Sequence, residues 1–163
     1  MSVLVKDRKV NQEFKTITNA NKIRFVFTNV MFRNFWIKDE TNVIRKEYKK
    51  RLEDDYMIDD FQWLLDEEKK IITIMLANLT TNITAANSIY PQNENELKGR
   101  RTYQNRAICN LYELKTELQY IVQVFNVDSN KYIEYSDMID EEIGYIKNWR
   151  KSNKKFRKNF REI

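Results

Sequence analysis

YQNRAICNLYELKTELQYIVQVFN, residues 103–126, places apolar side chains at Ala107, Leu111, Leu114, Leu118, Ile121 and Phe125. The steps alternate four, three, four, three, four. That is a heptad seam, the pattern of a helix packed closely against other helices. Asn126 is a reasonable stop, and Asp128 or Ser129 then offers an N-cap oxygen to a following helix.

Working outward, residues 129–159 read as that next helix, with Tyr132, Tyr135, Ile139, Ile143, Ile146 and Trp149 along one stripe. Gly144 sits in its middle. A mid-helix glycine costs about 1 kcal/mol against alanine, so close approach of a neighbouring helix is expected there. A third helix is expected over 56–89, carried by Phe61, Leu65, Ile72, Met75, Leu79, Ile83, Ala86 and Ile89 and ended by Tyr90-Pro91. The polar loop 91–98 would join it to the seam helix as an antiparallel neighbour. Residues 11–50 are ambiguous. Ile23, Phe25 and Phe27 alternate like a strand, yet Phe14, Ile17, Ala20, Ile23, Phe27, Val30 and Met31 fit a helix face. Helix is preferred, because three long helices need a fourth to close their core. Residues 1–10 read as an arm and 39–55 as a charged connection. The expected fold is all-α, a single antiparallel up-down-up-down four-helix bundle. Two glycines and one proline in 163 residues agree with few corners.

Composition narrows the chemistry. The chain has no histidine and one cysteine. Zinc, haem and non-haem iron sites are therefore not expected, nor is a His-activated nucleophile; no catalytic residue, metal or cofactor is assigned. Cys109 suits a reducing cytoplasm and reads as a small buried helix residue. The N-terminal residues lack a signal-peptide pattern, and no apolar run approaches the ~20 residues of a membrane span, so a cytoplasmic protein is expected. Asp54-Asp55 and Asp59-Asp60 could bind a divalent cation or do acid–base work, although acids at a helix start also simply suit its dipole.

Net charge is +5, unevenly spread. Residues 22–51 hold nine basic and three acidic side chains, 53–68 hold eight acidic and no basic ones, and 98–106 hold four basic ones. From residue 147 come Lys147, Arg150, Lys151, Lys154, Lys155, Arg157, Lys158 and Arg161. Such rows bind phosphate backbones by displacing counterions, and Trp149, Phe156 and Phe160 interleave as stackers for unpaired bases. The competing reading is that these cations complement a helix C-terminus while the aromatics are core. Arg100, Arg101 and Arg106 would begin the seam helix and oppose its dipole, which either a bound anion or solvent would relieve. Together these eleven cations form the expected nucleic-acid-binding set. A protein-interaction adaptor or inhibitor from a mobile element or phage is the alternative, gripping its partner through acidic 53–68 or the aromatics of 23–37.

The C-terminal half resembles a four-helix-bundle family that includes the accessory variability determinant (Avd) proteins of diversity-generating retroelements. The resemblance lies in Arg106-Ala107-Ile108, in Asn110-Leu111-Tyr112-Glu113-Leu114-Lys115-Thr116-Glu117-Leu118, in the turn at Asn126–Ser129, and in Glu142-Ile143-Gly144 followed by Trp149-Arg150-Lys151-Ser152. It implies a compact bundle that assembles into a basic homo-oligomeric ring, binds a reverse transcriptase and RNA, and has no chemistry of its own. RNA is the expected nucleic acid ahead of DNA, and no membrane is expected.

Overall fold

The computed structural model describes residues 12–39 and 61–160. The expected arm at 1–10, nearly all of the connection at 39–55 and the start of the helix expected from 56 lie outside them, as do Asp54-Asp55, Asp59-Asp60 and Arg161. Four helices dominate. α1 spans Gln12–Val26 and continues through a π-helical turn, Phe27–Met31, and a last turn, Phe32–Asn34. α2 is Phe61–Ser88, α3 is Glu94–Val124 and α4 is Ser129–Lys151, prolonged by a 3₁₀ segment, Ser152–Asn159. Two short strands, β1 (Ile37–Asp39) and β2 (Asn126–Val127), pair antiparallel across one end. This is an all-α four-helix bundle.

The helices pack in chain order round a ring, α1 on α2, α2 on α3, α3 on α4, and α4 back on α1. Facing residues show the directions. Asn82 Nδ2 donates to Asn110 Oδ1 at 2.7 Å while Arg100 reaches Ala86, so α2 and α3 run antiparallel. Lys115 meets Asp140 at 2.7 Å and Asn105 meets Arg150 at 2.7 Å, so α3 and α4 do too.

The whole predicted seam of α3, from Ala107 to Phe125, is buried, as is the whole predicted stripe of α4 from Tyr132 to Trp149. Leu65, Ile72, Leu76, Leu79, Ile83 and Ala86 bring α2 into the same core. At ~25 cal/mol per Å² of apolar surface removed from water, these ladders are the main source of the bundle's stability.

Residues 23–27 are helix, not strand. Ala20, Ile23, Phe27 and Met31 face the core and Phe25 is 64% exposed. Val30, expected inward, is exposed because the π turn adds a residue between Phe27 and Phe32, whose N–H reaches back to the Phe27 carbonyl. Local side chains favour that turn: Thr28 Oγ1 donates to the Arg24 carbonyl at 2.8 Å and Asn29 Nδ2 to the Phe25 carbonyl at 2.9 Å. Phe35 and Trp36 then adopt left-handed backbone, φ 51° and 53°. Such a conformation costs about 1–2 kcal/mol for a residue with a Cβ. It is held by Tyr132, whose hydroxyl donates to the Phe35 carbonyl at 2.6 Å, and by the Asp128 N–H, which donates to the Trp36 carbonyl at 2.8 Å.

Two expectations change at helix ends and two within helices. α3 begins at Glu94, nine residues before the quoted stretch, so much of the expected loop 91–98 is helical. Asn93 caps it, its Oδ1 accepting from the Glu96 N–H at 2.9 Å while Glu96 Oε2 accepts from the Gln92 N–H at 2.8 Å. The last helix stops at Lys151 and tightens to 3₁₀ geometry. Gly144 meets no neighbour: a Cβ built there would find nothing within 4 Å, so no close helix approach explains it. Cys109 is exposed, not a core residue.

Candidate polyanion-binding groove

Six basic residues, two from the start of α3 and four from Arg150 onward, converge at one end of the bundle. They line a groove of about 620 Å³, with Lys98 and Arg101 on the α3 side and Arg150, Lys151, Lys154 and Arg157 opposite. The antiparallel packing of α3 on α4 brings the start of one helix to the end of the other. Glu94 is the single carboxylate among the described residues lining the groove. It accepts from Arg157 Nε at 2.6 Å, an exposed pair that water screens. Arg150 Nη1 donates to the neutral Asn105 Oδ1 at 2.7 Å. Lys98, Arg101, Lys151 and Lys154 have no ion-pair partner among the described residues. Six cations against one carboxylate in a concavity focus a positive potential outward.

The wall of this groove is set from beneath by Arg100, which is 2% exposed and so is no surface ligand. That corrects its place in the expected binding set. Its Nη1 donates to the Ala86 carbonyl at 3.1 Å and the Ile89 carbonyl at 2.8 Å, closing the C-terminal end of α2. Its Nε donates to Asn153 Oδ1 at 3.0 Å, and its guanidinium lies 5.2 Å and 4.9 Å from the ring centres of Trp149 and Phe156. Asn153 Nδ2 in turn donates to Gln104 Oε1 at 2.6 Å. With three residues per turn, the 3₁₀ segment keeps Asn153 and Phe156 inward and sends Lys154, Lys155, Arg157 and Lys158 outward. Ser152 Oγ, donating to the Trp149 carbonyl at 2.6 Å, marks the change of pitch.

The remaining expected residues are dispersed. Arg106 lies 5.3 Å from the Tyr103 ring centre, and Lys155 lies 5.3 Å from that of Phe156. Lys147 and Lys158 are exposed outside the groove lining. The helix-dipole reading of Arg100, Arg101 and Arg106 lapses, because the true first turn holds Glu94 and Glu96. Trp149 and Phe156 are buried and cannot stack on a base; Phe160 is half-buried. Lys98 is a groove residue that the sequence alone did not single out. Once the Asn93-to-Glu96 capping pattern moves the helix start, Lys98 and Arg101 fall one turn apart on one face.

Of the surfaces assigned to an adaptor, the aromatic stretch 23–37 exposes Phe25 and buries Phe27 and Phe35, and the acidic stretch 53–68 is described in part. Residues 53–60 lie outside the described residues, Asp66 and Glu67 pair with Lys69 and Lys70, and Glu68 is buried. Burial and the neighbouring Glu117 carboxyl push the Glu68 carboxyl well above its usual range. Glu142, in the core between α4 and α1, is 0% exposed. Burial drives its carboxyl up to about 9; the Asn19 amide pulls the other way and Glu141 adds to the rise. Neither Glu142 oxygen, nor Asn19 Nδ2, reaches hydrogen-bond geometry with a partner. Among the described residues, no group of His, Cys, Asp and Glu side chains is arranged to hold a metal ion, and no helix is long and apolar enough to cross a membrane.

Comparison with family models, curated proteins and solved structures finds no match.

Proposed function

We propose that this bundle is a nucleic-acid-binding protein that grips a phosphate backbone in the groove between α3 and the end of α4. One observation carries the reading: six cations from two chain segments line one concavity with a single carboxylate among them. Each phosphate neutralised there releases condensed counterions, a favourable entropy at low salt. The groove offers cations and amides, the groups that hold phosphate oxygens.

The resemblance of the C-terminal half to the Avd family extends the proposal: an accessory to a nucleic-acid enzyme such as a reverse transcriptase, RNA ahead of DNA as its ligand, and assembly of the bundle into a ring. Light scattering tests the ring, which a strict monomer would remove.

Fluorescence anisotropy with a labelled RNA strand, repeated across a salt series, tests the binding. The logarithm of the association constant should fall linearly with the logarithm of salt concentration. Affinity that does not respond to salt, or no binding at low salt, would overturn the proposal.

A further inference from the structure

Tyr90 has no assigned part in the bundle; it follows the end of α2, outside the groove lining. It is 66% exposed, between Ile89, whose carbonyl Arg100 holds, and Pro91, whose ring fixes its own φ. Its ring meets the buried Phe156 edge to face, with centroids 5.1 Å apart and planes at 84°. Phe156 is flanked in the chain by Lys155 and Arg157, and Arg157 lines the groove. An exposed aromatic ring is thus braced by a core ring whose chain neighbours, Lys155 and Arg157, are exposed cations, and it follows a residue whose carbonyl is held.

We infer that Tyr90 is a stacking platform for an unpaired base, so that the groove's ligand is single-stranded nucleic acid. This rests on the proposed phosphate-binding role of the groove and specifies it. Stacking needs an accessible π-face near a track of cations, and a ring whose orientation is already set loses little entropy on binding. Bases in a duplex are stacked on one another and offer no face to Tyr90, whereas a flexible single strand can lay its phosphates in the groove and turn a base outward onto the ring. The exposed aromatics Phe25, Trp63, Tyr112 and Tyr120 have no such link to the groove residues.

The test measures anisotropy of a labelled oligouridylate strand and of a blunt RNA duplex of equal length with wild-type protein, Tyr90→Ala and Tyr90→Phe, at one salt concentration and then across a series. The expected result is a loss of about ten-fold in single-strand affinity for Tyr90→Ala, the size of one base stack. Tyr90→Phe should retain the affinity, the duplex should be insensitive to both changes, and the salt slope should be unaltered. Circular dichroism establishes that each variant is folded. Unchanged single-strand binding by folded Tyr90→Ala, or an equal loss for strand and duplex, overturns the stacking role while leaving the groove standing. Salt-insensitive or absent binding by the wild type removes both.

Discussion

The Nε of Arg100 donates to Oδ1 of Asn153 at 3.0 Å, joining the interior of α3 to the 3₁₀ segment that carries half of the basic tail. A buried arginine thus positions exposed ones. The same guanidinium closes the end of α2 and lies between two aromatic rings, so three elements meet on one side chain.

Adjacent arginines should therefore behave oppositely. Arg100→Met leaves two carbonyls and Asn153 without their donor, and should cost about 3 kcal/mol of stability in denaturant unfolding. Arg101→Gln, on the exposed face, should change stability by no more than about 0.5 kcal/mol yet weaken RNA binding. Equal stability effects would refute the division.

Glu142 makes stability depend on pH in a defined direction. Its carboxyl titrates near 9 in the fold, against 4.5 for an unperturbed glutamate, so between those limits the folded chain holds a proton that the unfolded chain has released. Stability should then fall as pH rises from about 4.5 to about 9. Glu142→Gln removes that linkage and should stabilise the bundle, by up to about 3 kcal/mol near neutrality, with a smaller gain near pH 5. Thermal melts of both proteins across this range are the check, and parallel melting curves at every pH would contradict the assignment.

Gly144→Ala should raise stability by about 1 kcal/mol. The helix gains a better former, and the added Cβ meets nothing within 4 Å. A drop in the melting temperature would show that the site is more crowded than the geometry indicates.

Periodicity carried most of the fold. The α3 seam and the α4 stripe are buried at every position the spacing marked. Spacing even outperformed residue type. Glu68 falls in step with Leu65 and Ile72, although the expected reading placed it on an acidic surface, and Glu142 falls in step with Tyr135, Ile139, Ile146 and Trp149. Glu142 shares the seam with its neighbour Ile143, and both are buried. The groove was legible in part: five of its six cations belong to the expected binding set, and Lys98 does not. What could not be read is which arginine turns inward. Arg100 and Arg101 are neighbours of one type, and only the carbonyl end of α2 and the ring of Phe156, distant in sequence, separate them. The 3₁₀ pitch was equally hidden, because basic residues tolerate either helix. Tyr90 reads in the sequence only as a helix terminator, since its support from Phe156 is tertiary.

The most direct measurement compares two variants with the same reduction in charge. One carries Lys98→Gln, Arg101→Gln, Lys151→Gln and Lys154→Gln in the groove; the other carries Arg106→Gln, Lys147→Gln, Lys155→Gln and Lys158→Gln outside it. The slope of log affinity for an RNA strand against log salt should become shallower by about one for each phosphate that the groove variant no longer neutralises, and should stay near the wild-type value in the other. If both folded variants show equal reductions in slope and affinity, the bound anion is answering net charge alone and the groove is not its site.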